Sequence, residues 1–523
     1  MVLRSLIEKH KSFLANFSDT NNKFVLIFYS CLFLFIFSFC LAFIFDPDFG
    51  WHLRYGEEVL LNHKILTTDT FSHTFTGDCV LDYEWLIEGI YYLLFVKFSF
   101  LGIIFTFGFL SSFIYLLPAV ISKGNLFVKF IIIFWSILGT INILKIGARP
   151  QNISLLFFSI VYILLLKYFE TFKIKYLILL PFIFLVWANA HPAYYLGIFL
   201  TLFFILIESL LTFIQTVKRE ISRQGIIKNI RVIILLSIFL VISVYISNFK
   251  PKIDNTGGFS LDFVKANILP SPLASEYSES GKVRVTIAEW LPPVYFDVSG
   301  TFFILGILYS IGMFTAIPYS KKYVRSIMLL LIFIYFSTLA RRNTPYFFLI
   351  FIPIAIEYTS YILKSNKLYR YTNVLNLISI VMIVWITLSN LPKKTIDLVN
   401  KSASFTSFCE AKKYPCKAVE FVKKAKLSGN MYNFYNWGGY LVWDLREYPT
   451  FIDGRMPWGK VFDEYQEVMD LQGNWREILN KYNVNFMILP RSKFLEEIVK
   501  MDNKWEEAYS DDIAVVLVRE KQQ

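Results

Sequence analysis

Strict alternation of apolar and polar residues is missing from the long hydrophobic stretches of this 523-residue chain, which excludes a membrane β-barrel. The first apolar run starts near Phe24, continues for about 22 residues and ends without a small-residue cleavage site. It is therefore expected to stay as a span rather than be removed as a signal peptide. Cysteine is scarce, with five residues; Cys31 and Cys40 fall in that run and Cys79 in the loop after it. Cys409 and Cys416 lie close together in a polar stretch. Their spacing is not a metal pattern, and a disulfide between them is left open, depending on which side of a membrane the stretch occupies. Internal repeats and charges in the middle of apolar runs are missing too. A transporter or flippase commonly shows both, so that class is disfavoured.

What is present is apolar and aromatic: 55% of residues are hydrophobic, 18% are aromatic and 54 are Phe. Several runs of about 18 or more apolar residues are long enough to span a bilayer, so the fold class is a polytopic α-helical membrane protein. About eleven spans are expected, near residues 24–45, 100–121, 128–145, 151–167, 176–189, 193–216, 231–247, 300–318, 326–340, 345–363 and 374–391. The 86–98 stretch, EWLIEGIYYLLF in its neighbourhood, reads as interfacial or embedded. The net charge of +12 is not spread evenly. With the N-terminus inside, the inside loops carry Lys123 and Lys129; Lys167, Lys173 and Lys175; Lys218, Arg219, Arg223, Lys228 and Arg231; Lys321, Lys322 and Arg325; and Lys364, Lys367 and Arg370. This bias sets the orientation and accounts for the basic excess without a nucleic-acid partner. Large outside loops are expected at about 46–98 and 248–299, with a transmembrane domain over 1–392.

From about 393 to 523 the chain becomes charged and mixes short helical and strand patterns, which predicts a small extracytoplasmic α/β domain. Pro415–Leu427 and Asp463–Leu479 read as helices. YLVWDL, PTFIDG, NVNFMILP and IAVVLVRE read as strand-like pieces.

The polar clusters share one side of this topology. Asp46–Glu58, DPDFGWHLRYGEE, emerges from the first span with Asp46, Asp48 and His52, and Pro47 stiffens the backbone between the two acids. Asp69 follows in TTDTFSHTF, then Glu84 and Glu88 in LDYEWLIEG. Arg149 lies in GARPQ, Asn189 and His191 in WANAHPAYY, Glu289 and Trp290 in VRVTIAEWLPP, and Arg341 and Arg342 in ARRNTP. The tail adds Trp437, Gly438, Gly439 and Tyr440, then FIDGR. Each has a bland reading: arginines snorkelling to headgroups, tryptophans in an interfacial belt, a histidine ending a helix, a glycine pair making a turn. Convergence favours chemistry, because acids, an imidazole and guanidiniums at one membrane face are the set that holds an anionic phosphate and activates a neutral nucleophile. The matching substrate is an amphiphile with an apolar chain and a phosphate-linked group, and the reaction is group transfer from a lipid phosphate.

These motifs resemble the GT-C superfamily of polyprenyl-phosphate-dependent glycosyltransferases, and three stretches resemble the oligosaccharyltransferase catalytic subunit. FDPDFGWHLRYG is similar to its first-loop acidic segment, TIAEW (Thr286–Trp290) to the loop motif whose acid faces the acceptor, and NWGGYLVW with FIDGR to the opening of its soluble domain. The chain also resembles a broad group of bacterial membrane proteins that combine DPD-x-x-WH, EW-x-x-P, RN-x-P and WGGYL…FIDGR. The resemblance implies a GT-C-like fold and inverting sugar transfer from a polyprenyl-phosphate-linked donor to a glycan, lipid or protein acceptor, at the outer face of the cytoplasmic membrane. It implies catalytic Asp48, with Asp46 second. His52, Asp69, Glu84 and Glu88 would shape the pocket, and Arg149, His191, Arg341 and Arg342 would hold the donor phosphate. Glu289, Trp290 and the Trp437–Tyr440 turn would face the acceptor. Two departures stand out. The family's second acidic pair, which helps to hold a divalent metal (Mg or Mn), is replaced by KIGARPQ, so no cofactor is certain and a guanidinium clamp is expected in the ion's place. WWDYG is replaced by NWGGY, which leaves the acceptor open. A glycan ligase using a lipid-linked oligosaccharide is the alternative.

Overall fold

The computed structural model describes residues 18–44, 46–78, 82, 84–247, 291–293, 297–316, 321–365, 370–455, 460–491, 499, 501–502 and 504–520. A helix accompanies each expected apolar run: α1 (Asn22–Cys40), α3 (Trp85–Ile121), α4 (Leu126–Leu144), α5 (Gln151–Thr171), α6 (Lys175–Ala190), α7 (Tyr195–Val217), α8 (Arg223–Ser247), α9 (Val298–Ala316), α10 (Lys321–Leu339), α11 (Thr344–Ser365) and α12 (Thr372–Ser402). Among the described residues eight helices are long and apolar enough to cross a membrane, while α6 and the apolar parts of α9 and α10 are shorter. The chain is a multi-pass helical membrane protein with a small sheet-bearing domain at its C-terminal end. From Thr344 to Ile356 every residue of α11 is buried. A helix apolar all round belongs in the middle of a bundle, and this one packs among Phe28, Phe35, Phe130, Phe158 and Trp187 in one continuous core.

One helix end departs from the sequence reading, and one break agrees with it. The first span was expected to reach residue 45, but α1 stops at Cys40. Lys394 of α12 caps it, donating to the carbonyls of Ser38 (2.9 Å) and Leu41 (3.2 Å), so residues 41–44, with Leu41, Phe43 and Ile44 buried, run on without helix. Within α3, Ser99 takes φ 54° and ψ −157°, values that break a helix. The break separates the amphipathic 85–98 stretch from the apolar 100–121 stretch, at the boundary expected from composition.

The short helix α2 (Phe49–Leu61) follows the DPD motif and lies against the start of α3. At the C-terminal end come α13 (Phe405–Lys412), α14 (Cys416–Ala425) and a four-stranded sheet. Its strands are β1 (Asn430–Asn433), β2 (Val484–Pro490), β3 (Trp505–Ser510) and β4 (Ala514–Arg519), in the order β1-β2-β4-β3. β1 pairs parallel with β2, and the other two pairings are antiparallel. β2 and β4 are the strands read from NVNFMILP and IAVVLVRE. YLVWDL is not a strand. It forms the helix α15 (Gly438–Asp444), in which the Tyr440 hydroxyl donates to Asp444 one turn on (2.7 Å). PTFIDG is irregular and holds a single parallel bridge, Thr450 with Ser72. The stretch read as one helix over 463–479 is two, Lys460–Met469 and Trp475–Lys481, separated at Gly473, whose φ is +55°. Helix α12 runs past residue 393, the expected start of the domain, to Ser402.

A second core positions the site. It joins Leu41, Phe43 and Ile44, Phe49 and Leu53 of α2, Tyr91 and Phe100 of α3, and Phe408, Tyr414, Trp437 and Tyr440 of the C-terminal part. Phe100 stacks on Phe408 at 3.8 Å. The C-terminal domain is thus packed into the first loop rather than suspended beside it.

Candidate functional site

Asp46 is 1% exposed, a costly place for a carboxylate unless it is paired. Its Oδ2 accepts from Arg149 Nε at 2.7 Å, its Oδ1 accepts from the Asp48 amide at 3.2 Å, and its carbonyl accepts from Lys412 Nζ at 3.1 Å. Asp48 is only partly buried and opens α2 without making a side-chain cap to that helix. The two acids therefore differ: Asp46 is committed to Arg149, and Asp48 is the one that solvent reaches. Gly454 of FIDGR closes over Asp48 so tightly that a Cβ there would collide with its carboxylate.

Behind this pair lies a buried acid–imidazole cluster. Gly56 lets α2 approach the backbone of Glu88 in α3, and any Cβ at that glycine would clash with the Glu88 carbonyl. One turn earlier on α2, His52 then meets α3. Its Nδ1 is 2.9 Å from Glu88 Oε1 and 3.7 Å from Glu84 Oε2. Burial, and then the Arg149 charge, push the His52 pKa well below its ordinary value, so the ring is neutral. Glu84 Oε1 is in turn 3.3 Å from His191 Nε2. Burial, and then the nearby Asp82, push the Glu84 pKa up to about 8.

The His191 tautomer follows from its partners. Nδ1 accepts from the Ala193 amide (3.1 Å) and from Ser154 Oγ (2.8 Å), and that oxygen accepts from Trp187 Nε1 (2.7 Å). The proton of the neutral ring is left on Nε2, facing Glu84. Burial, then Arg342 and Arg149, hold the His191 pKa well below its ordinary value. Asn189 joins the same wall by accepting from Trp85 Nε1 (3.1 Å).

Asp69 sits elsewhere, in the seam between first loop and C-terminal domain. It accepts from Ser72 and from Arg455 Nη1 (2.7 Å). Arg455 also forks onto Asp453 through Nε (2.8 Å) and Nη2 (2.7 Å), and it lies over the Phe71 ring. Trp437, Gly438, Gly439 and Tyr440 are buried in that seam. A Cβ on Gly439 would collide with the Pro47 carbonyl and press on Trp51, and Tyr440 stacks on Tyr414 at 4.5 Å. Arg341 donates to the Pro292 carbonyl (3.4 Å) and lines a small cleft with Asn142 and Asp297. The geometry thus gathers Asp46, Asp48, His52, Glu84, Glu88, Arg149, His191 and Arg342 by contact or field, and engages Asp69 and Arg341 at the margins. Glu289 and Trp290 lie outside the described residues.

Lys412 was missed by sequence reasoning. It ends α13 and is held by the Cys409–Cys416 disulfide, which spans seven positions. Burial pulls its pKa down to about 8, against the opposing pull of Asp46 and Asp48. The bracketing cysteines were the available signal. Together the cluster offers two partly exposed carboxylates, Asp48 and Glu84, beside guanidinium and ammonium groups and neutral imidazoles, which suits proton abstraction next to a bound anion. His52, Glu84 and Glu88 form the group of possible metal ligands among the described residues.

No family model and no curated protein matches the chain. Among solved structures, it aligns with the crystal structure of ArnT from Cupriavidus metallidurans bound to undecaprenyl phosphate, at TM-score 0.45 and 11% identity, over 96% of this chain and 98% of that one. A likeness of that size carries no residue assignment from one chain to the other.

Proposed function

We propose that this protein is an integral membrane glycosyltransferase of GT-C type, which moves a sugar from a polyprenyl-phosphate donor to an acceptor at the outer face of the cytoplasmic membrane. The observation that carries the reading is the division of labour between two neighbouring acids. Asp46 is buried in an ion pair with Arg149, while Asp48 beside it is partly exposed. Asp48 takes the proton from the acceptor hydroxyl as its oxygen bonds to the anomeric carbon. The bond from that carbon to the phosphate oxygen breaks, and the polyprenyl phosphate leaves with the electron pair. Attack opposite the leaving group inverts the anomeric centre. Arg149, Arg342 and Lys412 supply positive charge for the phosphate, where guanidiniums that remain charged and fork onto two oxygens are well suited. The N-terminus is cytoplasmic in this reading, and the C-terminal domain extracytoplasmic.

The test is release of free polyprenyl phosphate from a panel of polyprenyl-phosphate sugars, by wild type and by Asp48→Asn. The substitution keeps shape and removes the base, so turnover falls by about 100-fold or more. Turnover near wild type in both Asp48→Asn and Asp46→Asn would rule the assignment out.

A further inference from the structure

Glu84, Glu88 and Tyr91 are spaced i, i+4 and i+7 and so share one face of α3, opposite His52 of α2. His52 Nδ1, one oxygen of Glu84 and one of Glu88 all lie within 4.8 Å of one another. A tetrahedral shell with bonds of about 2.1 Å has ligand–ligand edges of about 3.4 Å. Two of the three edges measured here are 2.9 and 3.7 Å. Asp82, 6% exposed, adds a third carboxylate to the same buried space and interacts directly with Glu88. Carboxylates crowded out of water call for a cation.

An independent observation points to a ligand. Tyr91 is 1% exposed and its ring stacks on His52 at 5.9 Å, yet its hydroxyl has no hydrogen-bond partner among the described residues. That hydroxyl lies within electrostatic reach of Asp46, Glu84, Arg149 and Glu88. Glu88, equally buried, hydrogen-bonds to Asp82.

We propose that His52, Glu84 and Glu88 bind one divalent transition-metal ion, of which Zn²⁺ is the best match. One neutral imidazole with two carboxylates suits Zn²⁺, whereas Mg²⁺ prefers an all-oxygen octahedron. His191, holding the other Glu84 oxygen through its Nε2 proton, is the outer-shell group that orients this ligand. Three protein ligands leave one position for water or a phosphate oxygen. The site lies on different residues from the acidic pair whose absence argued against a metal.

The experiment is direct binding, not turnover, so failure here leaves the transferase reading where it stands. Full-length protein in detergent is stripped with a chelator and titrated with Co²⁺ as a visible-absorbing substitute for Zn²⁺. One Co²⁺ per chain, displaced by Zn²⁺, is expected. Glu84→Gln and Glu88→Gln should each weaken binding by at least about tenfold, and Glu420→Gln at an exposed position of α14 should leave it unchanged. No saturable binding in wild type, or variants that bind as wild type does, would overturn the site. X-ray absorption on Zn²⁺-loaded wild type needs no variant: one imidazole among nitrogen and oxygen neighbours supports the assignment, and sulfur, no imidazole or two imidazoles refutes it.

Discussion

Replacing Arg455 by Met tests whether the seam between the first loop and the C-terminal domain is held as described. The guanidinium is 4% exposed and makes three bonds of 2.7–2.8 Å to Asp453 and Asp69, whose side chains are 2% and 0% exposed. Removing it keeps the apolar contact with Phe71 and leaves two buried carboxylates without their cation. Breaking a buried pair from one side costs about 3–5 kcal/mol. At about 1.4 kcal/mol per decade, amides that open with the seam should exchange with solvent about two to three and a half decades faster. Hydrogen–deuterium exchange over 69–78 and 450–455 reads this change, with the buried run of α11 as an internal reference that should not move. The triple variant Arg455→Met, Asp453→Asn, Asp69→Asn removes the stranded charges and should recover much of the protection. Exchange in Arg455→Met within threefold of wild type would refute the seam as an electrostatic clasp.

Arg149→Gln should raise KM for a polyprenyl-phosphate donor by about tenfold or more and lower kcat as well, because the lost partner also leaves buried Asp46 unpaired. Lys412 gives a pH signature. Its folded pKa of about 8 lies below the ordinary 10.5, so the buried charge is a stability cost that is fully present below pH 8 and lifts between 8 and 10.5. Over that same interval its attraction for an anionic donor disappears; KM should climb above pH 8 in wild type and stay flat in Lys412→Arg. Replacing Cys409 and Cys416 together by Ser should loosen the α13–α14 turn by about 2–3 kcal/mol, the loop-closure value for so short a ring, and should raise KM through Lys412. Local exchange of the Lys412–Cys416 amides and donor saturation curves check the two halves.

The class of architecture was legible because hydrophobic length is a local property: each apolar run carries its helix with it. The acids of the first loop were legible for the same reason, since Asp46 and Asp48 stand at the end of a run and Glu84 and Glu88 sit one turn apart. What escaped depends on contacts between distant segments. The end of α1 is set by Lys394, more than 350 positions away. YLVWDL has strand-like composition, but its place against Pro47 and Trp51 suits a short helix entered through two glycines. The meeting of His52 with Glu88 rests on the small size of Gly56, which no periodicity reveals. Lys412 resembles any surface lysine until the disulfide turns it inward, and the role of Arg455 is visible only once Asp69 and Asp453 face each other across the seam.

Helix α12 continues without interruption from the apolar bundle to Ser402, ten residues past Pro392, and is followed after two residues by α13, whose end the disulfide closes onto α14. The C-terminal domain is therefore tethered on a short, stiff stalk and not on a flexible linker. Its effective concentration over the first loop stays high even when the Arg455 clasp opens. Opening is then a unimolecular, rapidly reversed excursion, independent of protein concentration.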